Sequence, residues 1–289
     1  MKNKYRLSAS HYDRESKDEQ IEPRKVYYIA VEGNQTEKEY FEGISRYRQK
    51  LGINALVDVT VLNRSKKDGR SAPDQVVELL EEYLMLRDAN DDLSDDIPKS
   101  IKNTYTPKFI RQYLNDPNSI SEKERHRFTN ELRKFGYDIN YRQYLKKYSN
   151  DTDEFCIMID RDMLTHSEQD MKDIIEHCRN AEHPYHCFIA NPCFEFWLLL
   201  HLSDVQTEYA DRLALIHDNP KVSAHHTFVS REVSQKAHHG KSNIKFKYNY
   251  LPHVQDAVSR AKAFASTEDE LINNIGCNVW KLIESMQRS

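Results

Sequence analysis

The feature that most constrains this 289-residue chain is a rhythm of short apolar runs separated by stretches of helical spacing. Lys25-Val26-Tyr27-Tyr28-Ile29-Ala30-Val31 is rich in aromatic and β-branched residues and reads as a buried strand. Ala55 to Leu62 reads as a second strand, Glu154 to Ile159 as a third and Tyr185 to Ala190 as a fourth. Between the first two, Tyr40, Phe41, Ile44 and Tyr47 recur at helical spacing, and Thr36 with Glu39 has the spacing of a capping box. Together they predict a helix from Glu37 to Lys50. Pro73 opens a second helix, and another spans Ser167 to Asn180. Asn191 as N-cap with Pro192 at the first helical position predicts a helix over CFEFWLLLHL. Buried strands alternating with helices predict an α/β fold around a small, mainly parallel sheet.

Two segments depart from the rhythm. Residues 1–24 read as a polar tail, and 25–289 as a single domain. Within it, residues 91–151 are charged, tyrosine-rich and without a strand signal, which predicts a helical, basic insertion. From Lys99 to Lys147 there are 12 Lys or Arg against 5 Asp or Glu. A second stretch, Val233 to Tyr250, has no acid and carries Lys236, Lys241, Lys245 and Lys247. Such segments suit contacts to phosphates, and equally suit an ordinary solvated face. The whole chain is balanced, at a net charge of −4, which argues against a simple histone-like binder.

Composition excludes several classes. Charged residues make up 30% and mean hydropathy is −0.82, and no apolar run approaches the ~20 residues of a membrane helix, so no membrane role is expected. The N-terminus has no apolar stretch of the secretory kind. Five cysteines, none in a C-x-x-C pair, argue against a zinc site or disulfide framework and for a reducing cytoplasm. Gly240-Lys241-Ser242 imitates the end of a P-loop, but Gln235 stands where the first glycine belongs and no strand precedes it.

The chemistry points to strand ends. Glu32 follows the first strand directly, and Asp160-Arg161-Asp162 follows the third. Ligands of open α/β sheets bind outside the carboxyl ends of strands. In an extended segment Asp160 and Asp162 project to one side, and two carboxylates so held repel unless a cation lies between them. Mg²⁺, or Mn²⁺ in its place, is the natural cation, since it takes hard oxygen ligands together with substrate phosphate. Glu32 completes a three-carboxylate pocket. A third feature, Asn191-Pro192-Cys193-Phe194-Glu195, brings an acid into a helical first turn, where the dipole alone favours it.

These features together resemble one family. Glu32-Gly33-Asn34-Gln35-Thr36-Glu37 with Tyr40-Phe41 resembles the opening "EG-x-x-TE-x-x-YF" of RloB-like proteins, a group that includes the second component of the AbiL abortive-infection system. Ile159-Asp160-Arg161-Asp162 is similar to its "hDRD" strand end. Asn191 to His201 resembles its "NP-x-FE-x-WLLLH" element, the most specific of the three, and Asn278 to Leu282 resembles a closing motif. The likeness spans residues 26–282. It implies a Toprim-like fold, a role in phage defence, an ABC- or AAA-type ATPase partner, and cleavage of nucleic acid, transfer RNA included. The long insertion has no counterpart in the motifs.

The resulting expectation is a Mg²⁺-dependent nuclease acting on RNA or DNA, with Glu32, Asp160 and Asp162 as metal ligands and catalytic groups. Glu37 and Glu195 are further catalytic candidates, and Lys241 and Lys245 are candidates for holding phosphate. A second copy of the chain is a candidate partner. Two other readings share some of these letters. One is a non-catalytic Toprim-like sensor or subunit of a defence ATPase complex. The other is a phosphatase of the haloacid-dehalogenase kind, in which the first Asp of D-x-D is the nucleophile.

Overall fold

The computed structural model describes residues 7, 24–33, 35–64, 72–88, 97–147, 151–163, 165–183, 185–237 and 244–289. By contacts the chain divides into two compact units. One comprises Pro23–Val61, Ser71–Val77 and Thr152–Ser289, and the other Met1–Glu22, Leu62–Arg70 and Glu78–Asp151.

The first unit is built on a five-stranded sheet in the order β2-β1-β3-β4-β5, with β1 Lys25–Val31, β2 Val57–Val61, β3 Glu154–Asp160, β4 His186–Asn191 and β5 Gly276–Cys277. The first four run parallel, and β5 pairs antiparallel with β4. The fold is therefore mixed α/β with a mostly parallel sheet, as the strand–helix rhythm predicts. The interior strands are apolar along nearly their whole length because both faces are covered: Val26 to Val31 and Cys156 to Ile159 are all buried. At the edge, β2 alternates instead, with Val57, Val59 and Val61 buried and Asp58 and Thr60 half-buried. The two-residue β5 carries no periodic signal and was not predicted; Asn278 holds it, donating to Cys187 O (3.1 Å) and accepting from Ile189 N (2.7 Å).

The first crossover uses helix α1, Thr36–Tyr47, which packs on β2. Its start differs from the predicted capping box. The helix begins at Thr36 with Gln35 at the cap and no side-chain cap bond, and Glu39 is engaged elsewhere, accepting from Gln35 Nε2 (3.2 Å) and Ile244 N (2.8 Å). Helix α2 is Pro73–Asp88, beginning at its proline as predicted.

In the other unit, residues 97–147 fold as helices α3 Lys99–Thr104, α4 Pro107–Asn115, α5 Glu122–Lys134 and α6 Ile139–Lys147, with no strand among the described residues there. Thr106 and Ser121 cap α4 and α5 through their hydroxyls. These helices close over an apolar core of their own, in which Ile110, Tyr113, Phe128 and Leu132 are buried. Arg142, 1% exposed, is paired with Glu82 and stacked over Tyr137. The polar tail lies outside the described residues except for Leu7, which is buried and bridges to Arg64, and Arg24.

Back in the sheet unit, α7 Glu168–Asn180 joins β3 to β4 and begins in a capping box between Ser167 and Asp170. Helix α8 is Phe194–Leu202 and starts later than predicted. Asn191 does not cap it: that residue ends β4 paired with Gly276, and its side-chain amide donates to Leu271 O (2.9 Å). The reason lies in another strand. Asp160 Oδ1 accepts from Phe194 N at 2.8 Å, so the open first turn of α8 is closed by a carboxylate 34 residues earlier. Every residue of α8 except Glu195 and Leu202 is buried. Tyr40 stands at the centre of its packing, edge-on to Phe41, Phe194, Trp197, Phe246 and Tyr250.

The five cysteines are free and buried. Among the described residues no helix is long and apolar enough to cross a membrane.

Candidate functional site: a carboxylate cluster at the strand ends

The strand order defines where a site belongs. From β1 the chain moves to β2 on one side and then to β3 on the other, so the connections diverge between β1 and β3. That divergence falls at the carboxyl ends of those two strands, the usual ligand position in sheets of this type. Glu32 and Asp160 stand on its two sides. Their contact is direct: Glu32 Oε2 accepts from Asp160 N at 3.0 Å, continuing the pairing in which Glu32 N donates to Met158 O at 3.2 Å.

Glu37 enters from the first turn of α1. It is 6% exposed and folds back so that its Oε1 accepts from Gly33 N at 3.1 Å. Gly33 is required by this approach, because a Cβ there would lie 2.0 Å from Glu37 Oε2. Burial pushes the Glu37 carboxyl up to about 7, with further pushes from Glu195 and Glu32. Glu195, in the first turn of α8, is the fourth member. Asp160 is held well above the ordinary aspartate range by burial first, then by Glu32, Glu37 and Glu195, against the lowering effect of the Phe194 N–H. Four acids, from the end of β1, α1, β3 and α8, thus come together in a poorly hydrated place.

Asp162 is placed differently from the extended D-x-D expectation. β3 ends at Asp160, and Asp162 lies in a turn with φ of 20°. Its N–H donates to Pro192 O (3.1 Å), and its carbonyl accepts from Thr165 N and His166 N (both 3.0 Å). Its charge acts on Arg161 and His166. Arg161 is buried and structural, donating from Nε to Ile272 O (2.6 Å) and from Nη1 to His166 O (2.7 Å).

His166 is a site residue that pattern reading missed. Its Nε2 lies 3.9 Å from Glu32 Oε1, and its pKa is raised chiefly by Glu32. It belongs to no motif and reaches the cluster only because the Asp162 turn folds the chain back. The lone signal in the sequence is a histidine shortly after a strand-end acid. Cys193 also borders the cluster, its thiol pushed up by burial and by Glu195 and Asp160, which leaves it protonated and inert.

The structure therefore joins Glu32, Glu37, Asp160 and Glu195, sets Asp162 beside His166, and leaves Lys245 exposed on the surface. Lys241 lies outside the described residues. Among the described residues, no three acidic, histidine or cysteine side chains already form a set of metal ligands. The donor chemistry nevertheless fits a hard cation: all four clustered groups offer carboxylate oxygen, and their mutual repulsion is what a divalent ion would relieve.

The sequence model of the RloB-like protein family matches residues 27–286. The chain belongs to that family. No curated protein and no solved structure matches it.

Proposed function

We propose that this protein is a metal-dependent nuclease, the effector of an anti-phage abortive-infection system, with a Toprim-like arrangement of its acids. The observation that carries this reading is the crowding of Glu32, Glu37, Asp160 and Glu195 at the β1–β3 divergence. Buried acids such as Glu37 and Asp160, pushed up by burial and by neighbouring carboxylates, mark a site kept for something other than stability. Glu32, Asp160 and Asp162 would hold Mg²⁺ or Mn²⁺, which when bound supplies activation of the nucleophile and neutralisation of charge at the scissile phosphate. Glu37, with a pKa near 7, can hold or release a proton at neutral pH and suits a general acid/base. His166 braces Glu32 from the side away from Asp160 N. The nucleic-acid substrate, RNA above all, and an ABC- or AAA-type ATPase partner rest on the family resemblance alone.

Asp160→Asn tests the proposal, because the amide oxygen still accepts from Phe194 N while the charge is gone. The variant is expected to fold and to lose Mg²⁺-dependent cleavage of RNA and DNA by at least about 100-fold, the order seen when a metal-site group is removed. Undiminished cleavage by a folded Asp160→Asn would overturn the assignment. Sequencing the RNA of cells expressing parent or variant identifies the substrate.

A further inference from the structure

The segment Ile244–Tyr250 alternates sharply between inside and outside. Ile244, Phe246 and Tyr250 are buried, whereas Lys245, Lys247 and Tyr248 are exposed. Its inward side chains are anchored in several independent ways. The Phe246 ring stacks on Tyr47 at 6.2 Å with planes 13° apart, and it fills the space beside Gly43, where a Cβ would come within 2.3 Å of it. Tyr250 packs edge-on against Tyr40 and His201. Ile244 N donates to Glu39 Oε2 (2.8 Å), and Asn249 Nδ2 donates to Ile244 O (3.1 Å).

The result is a short helix, Phe246–Asn249, that presents its outer side chains from a fixed base. Lys245 is held at φ 48° and ψ 53°, a left-handed conformation that a lysine adopts only when its surroundings impose it. Tyr248 is 70% exposed, far more than an aromatic ring needs for packing, and Lys247 Nζ lies 5.3 Å from its ring centre. The stretch from Val233 to Tyr250 contains no acid. The inner side of the segment packs on α1 and α8: Tyr250 is edge-on to Tyr40 and His201 and feels the charge of Glu195.

We propose that Tyr248, with Lys247 beside it, is a base-stacking platform that binds single-stranded nucleic acid on the outer side of this segment. An exposed ring on a rigid base offers a face to any unpaired base at little entropic cost, and the Lys247 ammonium group beside it meets the backbone. The inference rests on the nuclease reading for its purpose, since such a platform holds a strand for the acids, but binding itself requires neither metal nor turnover.

The experiment is fluorescence anisotropy with the full chain in EDTA, using a labelled 12-nucleotide single-stranded RNA, the same sequence as DNA, and the RNA duplex. Tyr248→Ala is expected to weaken binding of single strands by about tenfold, Tyr248→Trp to preserve it, and duplex binding to be unmoved by either. Lys247→Ala is expected to weaken binding and to flatten its salt dependence. RNA and DNA arms that respond alike assign the platform to bases in general; a response in the RNA arm alone assigns it to RNA. The proposal is overturned if the parent binds no single strand, if Tyr248→Ala binds as the parent does, or if the duplex shows the same loss. The outcomes separate from those of the nuclease reading. Tyr248-dependent binding without cleavage keeps the platform and removes the nuclease, whereas Asp160-dependent cleavage with indifferent Tyr248 does the reverse.

Discussion

Gly33 and Glu37 show how closely a single residue can be bound to its neighbour's task. The glycine leaves room for the carboxylate, and its N–H is the donor that holds the carboxylate in place. The three atoms nearest to a Cβ at Gly33 all belong to the flexible end of Glu37, so Gly33→Ala should change stability by no more than about 1 kcal/mol. Cleavage should fall to the level of Glu37→Gln, at least about tenfold, and a Gly33→Ala enzyme of parental rate would detach Glu37 from the chemistry. His201 makes a different demand. Its Nδ1 donates to Trp197 O (2.9 Å), so its Nε2 accepts from the Tyr40 hydroxyl (3.1 Å), and burial depresses its pKa to about 3. Between about 3 and the ordinary 6.5 the unfolded chain binds a proton that the folded one refuses, so stability falls as pH drops through that window. From pH 7 to pH 5 this single group should remove about 2 kcal/mol. Urea midpoints at the two pH values, for the parent and for His201→Gln, measure it: the variant should lose less on acidification.

At the scale of elements, the interior strands were legible because burial on both faces leaves an unbroken apolar run. β1 extends from Lys25 to Val31 as read, and β3 ends one residue beyond the predicted Ile159. The start of α8 was not legible, and the cause is instructive. Asn191-Pro192 has the local chemistry of a helix start, yet Asn191 is drawn into β4 by pairing with Gly276, and the cap comes from Asp160. Local propensity lost to a long-range partner that no window of sequence displays. The same holds for α1, whose Glu39 is spent on Ile244 N. Of the acids, Glu32 and Asp160 could be found from strand ends, whereas the electrostatic effect of Glu195 on Glu37 required the fold. Asp162 escaped the extended rule because the strand ends before it. In the helical unit, Arg142 is buried against Glu82 and Tyr137. Arg142→Ala removes a buried ion-pair partner of Glu82 and the stack on Tyr137, and should lower unfolding free energy by about 3 kcal/mol, read as a reduced urea midpoint.

For the molecule as a whole, the crowded acids place function against stability. At pH 8 without metal, Asp160→Asn should be more stable than the parent, because the fold no longer has to hold an ionisable carboxyl buried among other acids. Added Mg²⁺ or Mn²⁺ should raise the parent's Tm and leave that of the variant unmoved. A parent indifferent to both ions would remove the metal from the proposal.

Asp160 faces its fellow acids with one end and terminates α8 with the other, through Phe194 N. Truncation to alanine therefore injures two things at once, since it strips the site of an oxygen and leaves a helix start open beneath the rings around Tyr40. Asparagine spares the second. A silent alanine variant would speak as much to a loosened helix as to lost chemistry, and the amide substitution alone tells the two apart.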